Sequence, residues 1–443
     1  MLGDYRITGR RATEIAADVE GAVSAGMLEP GQQLPPMREL AEELGVNPNT
    51  VASAYRILRE RGVIETAGRK GSRVRPRPAT TGRDEIRVQV PAGVRDVSKG
   101  NPDTALLPPL APAFAAAAAR TDAAPVLYGH HPLDPDLVRI ARADLDADGV
   151  PDGPLAVTSG ALDAMERVLG AHLRPGDAVA VEDPGWGSVF DLVPALGLRV
   201  VPVGVDDEGP LPDAVARALE AGARALVVTD RAQNPTGAAV SAARAGALRE
   251  VLGLHPGTLL IEDDHGYGMV DLPLHPLAGA TRSWAFVRSA AKAYGPDLRL
   301  AVLTGDAVTV DRVRGRQRLG PGWVSRVTQR AVVELWTGGA VDRAAVAGSY
   351  GRRRRALIAE LRRHGVPAHG RSGVNVWIPV PDETGAVAAL LQAGWAVAPG
   401  ARFRMESGPA VRVTVSTLTE GDMAALARTV ARALEGGPAR RLV

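Results

Sequence analysis

Six short apolar runs between residues 155 and 288 are each followed by glycine or polar residues, and helix-length stretches separate several of them. Runs of about four to eight apolar residues are typical of strands buried on both faces. Strands that alternate with helices favour a mostly parallel sheet with helices on both faces. The runs lie at 155–158, 177–183, 199–205, 223–229, 258–262 and 283–288. We therefore predict an α/β domain here.

Polar or glycine-rich segments follow five of these predicted strands. Because the carboxyl ends of parallel strands meet at one edge of a sheet, we expect these segments to converge on a single ligand site. Core packing alone does not predict such placement. The segments are Ser159-Gly160-Ala161, Asp183-Pro184-Gly185-Trp186, Asn234-Pro235-Thr236-Gly237, Asp263-Asp264-His265 and the run from Ser289 through Lys292 to Arg299.

Lys292 is one of only three lysines, with Lys70 and Lys99, among 52 lysine and arginine residues. Arginine fills basic positions almost by default in this chain, so a retained lysine indicates chemistry that a guanidinium cannot perform. A desolvated lysine amine forms a Schiff base with an aldehyde, and an arginine does not. The ordinary alternative is a surface lysine whose stem lies along apolar neighbours. We favour the reactive amine.

The residues at the predicted edge match what pyridoxal 5'-phosphate requires: an amine, a carboxylate for the pyridine nitrogen, a donor to the phenolic oxygen, a stacking aromatic ring and phosphate donors. Each residue alone has an ordinary explanation as a turn, a cap or a core aromatic, but together they indicate the cofactor. The candidates, in that order, are Lys292, Asp263, Asn234 and Trp186, with Gly160, Ala161, Ser289 and Arg299 for the phosphate. Asp264 remains an alternative to Asp263.

The N-terminal part of the chain predicts a different domain. Apolar spacing predicts a helix over residues 12–26 and a second over Met37 to Leu44. A third helix, from Asn49 to Arg61, follows Asn47 as its N-cap. Val63 to Val74 then alternates around a basic glycine tip, as a β-hairpin does. Two short helices joined by a tight turn and followed by a hairpin predict a winged helix-turn-helix that binds DNA.

The segment LPPMRELAEELGVNPNTVASAYRILRERGVI resembles the winged helix-turn-helix of GntR regulators, over roughly residues 10–76. Asn47 and Pro48 stand where the family more often has serine and arginine. The resemblance implies that the DNA partner is a double-stranded operator. For Arg38 and Tyr55 the alternative is a surface and a packing role, respectively. The implied DNA contacts are Arg38, Asn49, Thr50 and Tyr55, with Arg69, Lys70 and Gly71 of the wing.

The motifs SGAL, EDPGW, NPTG, EDDH and SAAKAYGPDLR resemble fold type I aminotransferases, over roughly residues 97–437. That resemblance implies a homodimer in which Tyr128 reaches the phosphate of the neighbouring subunit. It also implies that Arg412 binds a substrate or effector carboxylate through a bidentate fork. His265, a further cofactor-binding candidate, replaces the usual tyrosine, and Ala291 stands where a serine is common.

A GntR head before an aminotransferase-like body resembles the MocR/GabR group of regulators, near a type tied to vitamin B6 metabolism. We predict a multi-domain protein with a winged helix-turn-helix at 1–76, a linker at 77–97, a large domain at 98–320 and a small C-terminal α+β domain at 321–443. The expected function is transcriptional regulation through pyridoxal phosphate held by Lys292, with an amino acid as a further candidate effector. The alternative is a working aminotransferase that carries a DNA-binding head.

Composition restricts the other classes of function. A formal net charge of +2 means that any nucleic-acid surface is local, and the absence of cysteine excludes disulfides, thiolate metal sites and cysteine nucleophiles. We expect no bound metal. The sequence shows neither an apolar signal core at its start nor a run of about 18 apolar residues. The expectation is therefore a cytoplasmic protein.

Overall fold

The computed structural model describes residues 5–60, 63–66, 71–75, 82–83 and 89–435. These residues form two compact units, one centred on the N-terminal residues and the other containing most of the chain after residue 82. Among the described helices, none has both the length and the apolar character needed to cross a lipid bilayer.

The N-terminal unit is the predicted winged helix-turn-helix. Gly45, at a φ of 64°, ends the second helix, and the side chain of Asn47 accepts a hydrogen bond from the Asn49 amide at 2.9 Å at the start of the third. The two strands pair antiparallel, with Ile64 opposite Val74. The elements are α1 (Ala12–Ser24), α2 (Met37–Leu44), α3 (Pro48–Glu60), β1 (Ile64–Thr66) and β2 (Ser72–Val74).

Tyr55 belongs to the core of this unit, which corrects its assignment as a DNA contact. Its side chain is only 1% exposed, in a cluster that includes Ile15, Val51 and Leu58. Its hydroxyl donates to the Pro35 carbonyl at 2.8 Å. A tyrosine on the inner face of α3 has no surface to offer a phosphate, so the packing alternative is the one that the structure supports.

The remaining helices and strands follow residue 82, and most of their residues belong to the larger unit. The helices are α4 (Ala111–Ala123), α5 (Pro135–Ala147), α6 (Ala161–His172), α7 (Gly187–Ala195), α8 (Pro212–Glu220), α9 (Ala242–Leu254), α10 (Ala291–Tyr294), α11 (Ala307–Arg318), α12 (Arg326–Thr337), α13 (Arg343–Arg363), α14 (Glu383–Gln392) and α15 (Glu420–Glu435). The strands are β3 (Arg95–Asp96), β4 (Leu155–Thr158), β5 (Ala178–Asp183), β6 (Arg199–Asp206), β7 (Gly209–Pro210), β8 (Ala223–Thr229), β9 (Leu259–Asp264), β10 (Ser283–Ser289), β11 (Ala301–Gly305), β12 (Asn375–Pro379), β13 (Trp395–Ala396), β14 (Ala398–Pro399) and β15 (Ala410–Thr414).

In the described chain, eight strands form the main sheet in the order β4-β11-β10-β9-β8-β5-β6-β7. Strands β8, β9 and β10 are parallel, as predicted, and every residue of β4, β5 and β9 is buried. Strand β11, which was not predicted, runs antiparallel between β4 and β10. Its apolar run follows the lysine segment directly, so no helix-length spacer marks it as a separate strand.

A smaller antiparallel sheet, in the order β12-β15-β14, contributes buried residues to the C-terminal core. Strand β3 pairs in parallel with β13, and Val97 is buried in the same core as Leu357 and Val413. The end of the stretch predicted as a linker is therefore part of the C-terminal core.

Glu182, the penultimate residue of β5, is a buried carboxyl group. It accepts hydrogen bonds from the Thr229 amide at 3.1 Å and the Gln233 side chain at 3.2 Å. Burial outweighs these bonds and raises the pKa of Glu182 to about 7. The folded protein therefore keeps a proton that the unfolded chain releases once the pH exceeds the ordinary glutamate range.

We predict that Glu182→Gln flattens the pH dependence of stability. A raised folded-state pKa lowers the free energy of unfolding as pH rises from about 4.5 to 7, by up to about 3 kcal/mol for this group. Urea unfolding of the full chain across this window measures the slope. The exposed Glu250→Gln is the matched control and should keep the wild-type slope; an unchanged slope in the Glu182 variant would contradict the buried proton.

Candidate functional site

A cavity of about 310 Å³ opens in the larger unit beside the carboxyl ends of β4, β9 and β10. This volume is typical of a site for a small ligand. The structure thus brings together residues that are more than 300 positions apart in the chain. Of the residues predicted from the sequence, Gly160, Ala161, Trp186, Asn234, His265, Ser289, Lys292, Arg299 and Arg412 line this cavity.

Lys292 lies on α10, the single helical turn that directly follows β10. Its side chain is half-buried, and its Nζ donates to the Gly100 carbonyl at 2.7 Å. Gly100 belongs to the segment after β3 and also lines the cavity. The backbone on the opposite wall therefore holds the amine across the cavity.

One end of the cavity combines features that suit an anion. Gly160 has a φ of +103°, and a Cβ atom there would lie 2.8 Å from Nη2 of Arg299. The same Nη2 donates to the Ser159 carbonyl at 2.9 Å. Helix α6 begins at Ala161, directly after Gly160. The amides at a helix start and an adjacent guanidinium favour a phosphate. The buried Ser289 adds a hydroxyl at the same cavity.

Asp263 and Asp264 have different partners, although both are fully buried. Asp264 accepts from Arg231 at 2.8 and 3.0 Å and from Arg288 at 3.1 Å. Burial alone would raise the pKa of Asp264, but these two guanidiniums hold it below its usual range. In the described structure, Oδ1 of Asp263 is buried with no hydrogen-bond partner. The geometry therefore favours Asp263 as the carboxylate with an oxygen available to a ligand.

His265 stands at the cavity wall with both ring nitrogens engaged. Nδ1 lies 2.7 Å from Oδ2 of Asp263, and Nε2 lies 2.8 Å from the Ala232 carbonyl oxygen. Burial lowers the pKa of His265, but the Asp263 carboxylate outweighs this effect and raises it overall. The ring therefore fills the wall without presenting a free N–H to the cavity.

Asn234 and Arg412 form a hydrogen-bonded pair in the lining of the cavity. Arg412, on β15, donates to Oδ1 of Asn234 at 2.7 Å and to the Ser98 carbonyl at 2.6 Å. Its guanidinium also lies 4.5 Å from the centre of the Phe403 ring. These contacts fix the direction of the guanidinium at the cavity. Trp186, half-buried after the cis Asp183–Pro184 bond, supplies an aromatic face.

Tyr128 is placed elsewhere. Its side chain is 92% exposed and contacts Trp323, with the ring centres 5.7 Å apart. It does not line the cavity of its own chain. The sequence resemblance assigned this tyrosine to a neighbouring subunit, and its exposure is compatible with that role.

Arg354 holds a loop of the cavity in place, and the sequence analysis did not identify it. Four consecutive arginines, Arg352 to Arg355, are a pattern typical of a solvated helix face, yet Arg354 is buried. It donates to the carbonyls of residues 370, 371 and 373, directly before the cavity residues Val374 and Asn375. The spacing of the helix could have predicted this burial. Arg354 follows Tyr350 by four positions and precedes Leu357 by three, and all three lie on the buried face of α13.

The candidate DNA contacts divide into three groups. Arg38 and Asn49 are exposed near the starts of α2 and α3, and Thr50 beside them is half-buried. Gly71, at a φ of +83°, precedes β2. The wing residues Arg69 and Lys70 lie outside the described residues.

Comparison with known proteins agrees with this architecture. A family model for "Aminotransferase class I and II" matches residues 112–430, and one for "Bacterial regulatory proteins, gntR family" matches residues 11–74. An aspartate aminotransferase from Thermus thermophilus, solved with maleate, aligns with a TM-score of 0.66 at 26% identity. The alignment covers 77% of this chain and 92% of the enzyme.

Two curated relatives are regulators. The vitamin B6 salvage pathway transcriptional repressor PtsJ of Salmonella typhimurium is 39% identical, over 97% of this chain and 99% of the relative. The pyridoxine biosynthesis transcriptional regulator PdxR of Corynebacterium glutamicum is 29% identical, over 80% of this chain and 76% of the relative. The chain belongs to the MocR-type regulators of the GntR family, in which a GntR winged helix-turn-helix precedes a class I and II aminotransferase domain.

Proposed function

We propose that this protein is a cytoplasmic transcriptional regulator in vitamin B6 metabolism whose aminotransferase domain binds pyridoxal 5'-phosphate and thereby controls DNA binding. The observation that carries the proposal is one cavity lined by the Lys292 amine and by an anion-binding end. Its lining residue His265 lies against Asp263, whose second carboxylate oxygen has no partner in the described structure. The likeness to PtsJ and PdxR, both named as vitamin B6 regulators, supports the pathway.

The residues present fit the cofactor. Oδ1 of Asp263 is a buried acceptor without a partner in the described structure, as a pyridine N–H requires. In our assignment Trp186 stacks on the ring, Asn234 donates to the phenolic oxygen, and the Gly160 and Ala161 amides hold the phosphate with Ser289 and Arg299. Lys292 lines the same cavity, and its amine lies 2.7 Å from the Gly100 carbonyl oxygen.

When bound, pyridoxal phosphate supplies an aldehyde for covalent capture and an electron-withdrawing ring. Lys292 supplies the capturing amine. The Gly100 carbonyl accepts its hydrogen bond and so directs the nitrogen across the cavity. Arg412, oriented by Asn234 and Ser98, offers a cationic surface to the carboxylate of an amino acid effector.

The DNA partner in this proposal is a double-stranded operator. Arg38 contacts phosphate, and Asn49 and Thr50, at the start of α3, read base edges in the major groove. The wing, with Arg69, Lys70 and Gly71, contacts the backbone beside it. A homodimer presents two such heads, and Tyr128 of each chain completes the phosphate site of the other.

Control of DNA binding requires that the cofactor bind one arrangement of the regulator better than another. A covalently held ligand meets this condition when the contacts it makes exist in only one arrangement. The cavity walls come from the large-domain strand ends and from the small-domain residues Val374, Asn375 and Arg412. A ligand that contacts both sets of walls at once stabilises their closed arrangement.

We predict that Lys292→Ala abolishes covalent attachment of pyridoxal phosphate, because no other amine lies in the described cavity. Borohydride reduction and peptide mapping should label the Lys292 peptide in the wild type and leave the variant unlabelled. The operator affinity of the variant should no longer respond to added pyridoxal phosphate.

Lys99→Ala is the matched control, since Lys99 is exposed and pairs with Asp96 at 3.0 Å. It should retain both the label and the response. Two results would contradict the proposal: borohydride labelling of the Lys292 variant, or an operator affinity of that variant that still responds to pyridoxal phosphate.

The DNA assignments predict two different losses. Arg38→Ala should weaken binding to all sequences and reduce the salt slope of the affinity by about one, because a phosphate contact releases a counterion. Asn49→Ala should instead relax the preference at one base position by about 1–3 kcal/mol. Titrations at several salt concentrations with matched operator variants separate the two. The exposed Arg139→Ala on α5 is the control, and a salt slope in the Arg38 variant equal to that control contradicts the assignment.

A second candidate, a working aminotransferase, is favoured by Arg412, because a sensor of pyridoxal phosphate alone has no need for a carboxylate site. We predict that the purified protein, given an amino acid and a keto acid, forms at most about one keto acid product per cofactor. Product formation measured over hours decides the question. Sustained turnover well above one equivalent would establish the enzyme.

A further inference from the structure

We propose that His265 is a positioning residue held as an imidazolium by Asp263, and that it lowers the proton affinity of the pyridine nitrogen of a bound cofactor. This inference rests on the proposed binding of pyridoxal phosphate and adds to it. It concerns the one position of the cavity where the chain replaces the tyrosine that its resemblance implies.

The geometry of the ring fixes its protons. Nε2 lies 2.8 Å from the Ala232 carbonyl, which only accepts, so Nε2 carries a hydrogen. Nδ1 lies 2.7 Å from Oδ2 of Asp263, and two bare acceptors at that distance would repel each other. A second proton therefore lies between Nδ1 and the carboxylate. An ordinary imidazole binds a proton more strongly than an ordinary aspartate carboxylate, by about 2.6 pKa units, so the proton belongs on the ring.

The surrounding charges agree with this assignment. The groups that act on His265 are the Asp263 carboxylate on β9, the neighbouring Asp264 and the Lys292 amine on α10. Asp264 is already paired with Arg231 and Arg288. Burial and Lys292 lower the pKa of His265, but Asp263 overcomes both and raises it.

The imidazolium changes what Asp263 offers a ligand. Oδ2 already accepts a charge-assisted bond, so a pyridine nitrogen at Oδ1 shares the carboxylate with a second cation. A carboxylate that is already paired stabilises a new positive charge less than an unpaired one does. The pyridine nitrogen therefore protonates less readily than it would beside a neutral residue 265.

A less protonated ring withdraws electrons less strongly. Capture of the aldehyde by Lys292 needs only the amine, whereas later steps on an amino acid need the electron-withdrawing ring. His265 thus suits a pocket that holds its ligand and does not turn it over. Both ring N–H groups of His265 are also in use, which leaves the phenolic oxygen to Asn234 in our assignment.

The test uses pyridoxal phosphate labelled with ¹⁵N at the pyridine nitrogen, bound to the full-length protein. The ¹⁵N NMR shift of that nitrogen, followed against pH, gives the midpoint of its protonation. His265→Gln and His265→Phe should each raise the midpoint by about 1–3 pH units, because the neighbouring cation is gone. Two variants are needed because phenylalanine leaves Asp263 and Ala232 unpaired, whereas glutamine still donates to one of them.

His369→Gln is the matched control. Nδ1 of His369 lies 3.4 Å from Oδ1 of Asp207, and His369 does not line the cavity. This variant should leave the midpoint unchanged. A midpoint equal to the wild type in both His265 variants would overturn the inference.

A second measurement separates this inference from the proposed function. The ¹⁵N shifts of histidine-labelled protein without cofactor, assigned through His265→Gln, should show a doubly protonated His265 ring at pH 7. A neutral tautomer there would overturn the inference even if Lys292 captures the cofactor. If His265 is doubly protonated but Lys292 is not labelled, the proposed function is contradicted. The effect of His265 on the pyridine nitrogen then falls with it, whereas the imidazolium held by Asp263 stands.

Discussion

The candidate site depends on how the protein pairs two adjacent buried carboxylates. Asp263 and Asp264 end β9 and point to opposite faces of the sheet, as successive strand residues do. On one face, Arg231 and Arg288 supply the bidentate and charge-assisted bonds that make a buried carboxylate tolerable. On the other face, His265 pairs one oxygen of Asp263 and leaves the second without a partner in the described structure. An unpaired buried oxygen is costly, and a ligand that donates to it recovers that cost.

The rest of the cavity is held by contacts distant in sequence. Arg354, buried on α13, donates to the carbonyls of residues 370, 371 and 373 and so fixes the segment that leads to Val374 and Asn375. Arg412 reaches from β15 to Asn234, which follows β8. These bonds join the smaller sheet to the carboxyl ends of the main-sheet strands around one cavity.

The two units were predictable for different reasons. The head follows from local signals, since the αL glycine at Gly45 and the cap at Asn47 mark helix ends without reference to distant residues. Tyr55 shows the limit of motif transfer, because whether it faces DNA or the core depends on how α3 packs against Pro35. Arg354 shows the limit of composition, because a run of arginines looks solvated until the helix that carries it is placed.

The sequence by itself determined the order of strands and polar turns, the singular lysine and the winged helix-turn-helix, because periodicity and turn chemistry are local properties of the chain. It left Asp263 and Asp264 as alternatives and gave no role to Arg231, Arg288 or Arg354. Only the tertiary structure decided these, because burial and hydrogen-bond partners arise when strands and helices from separate parts of the chain meet. The hydrogen-bond partners of His265 belong to the same class, since one of them is a carbonyl 33 positions away in the chain.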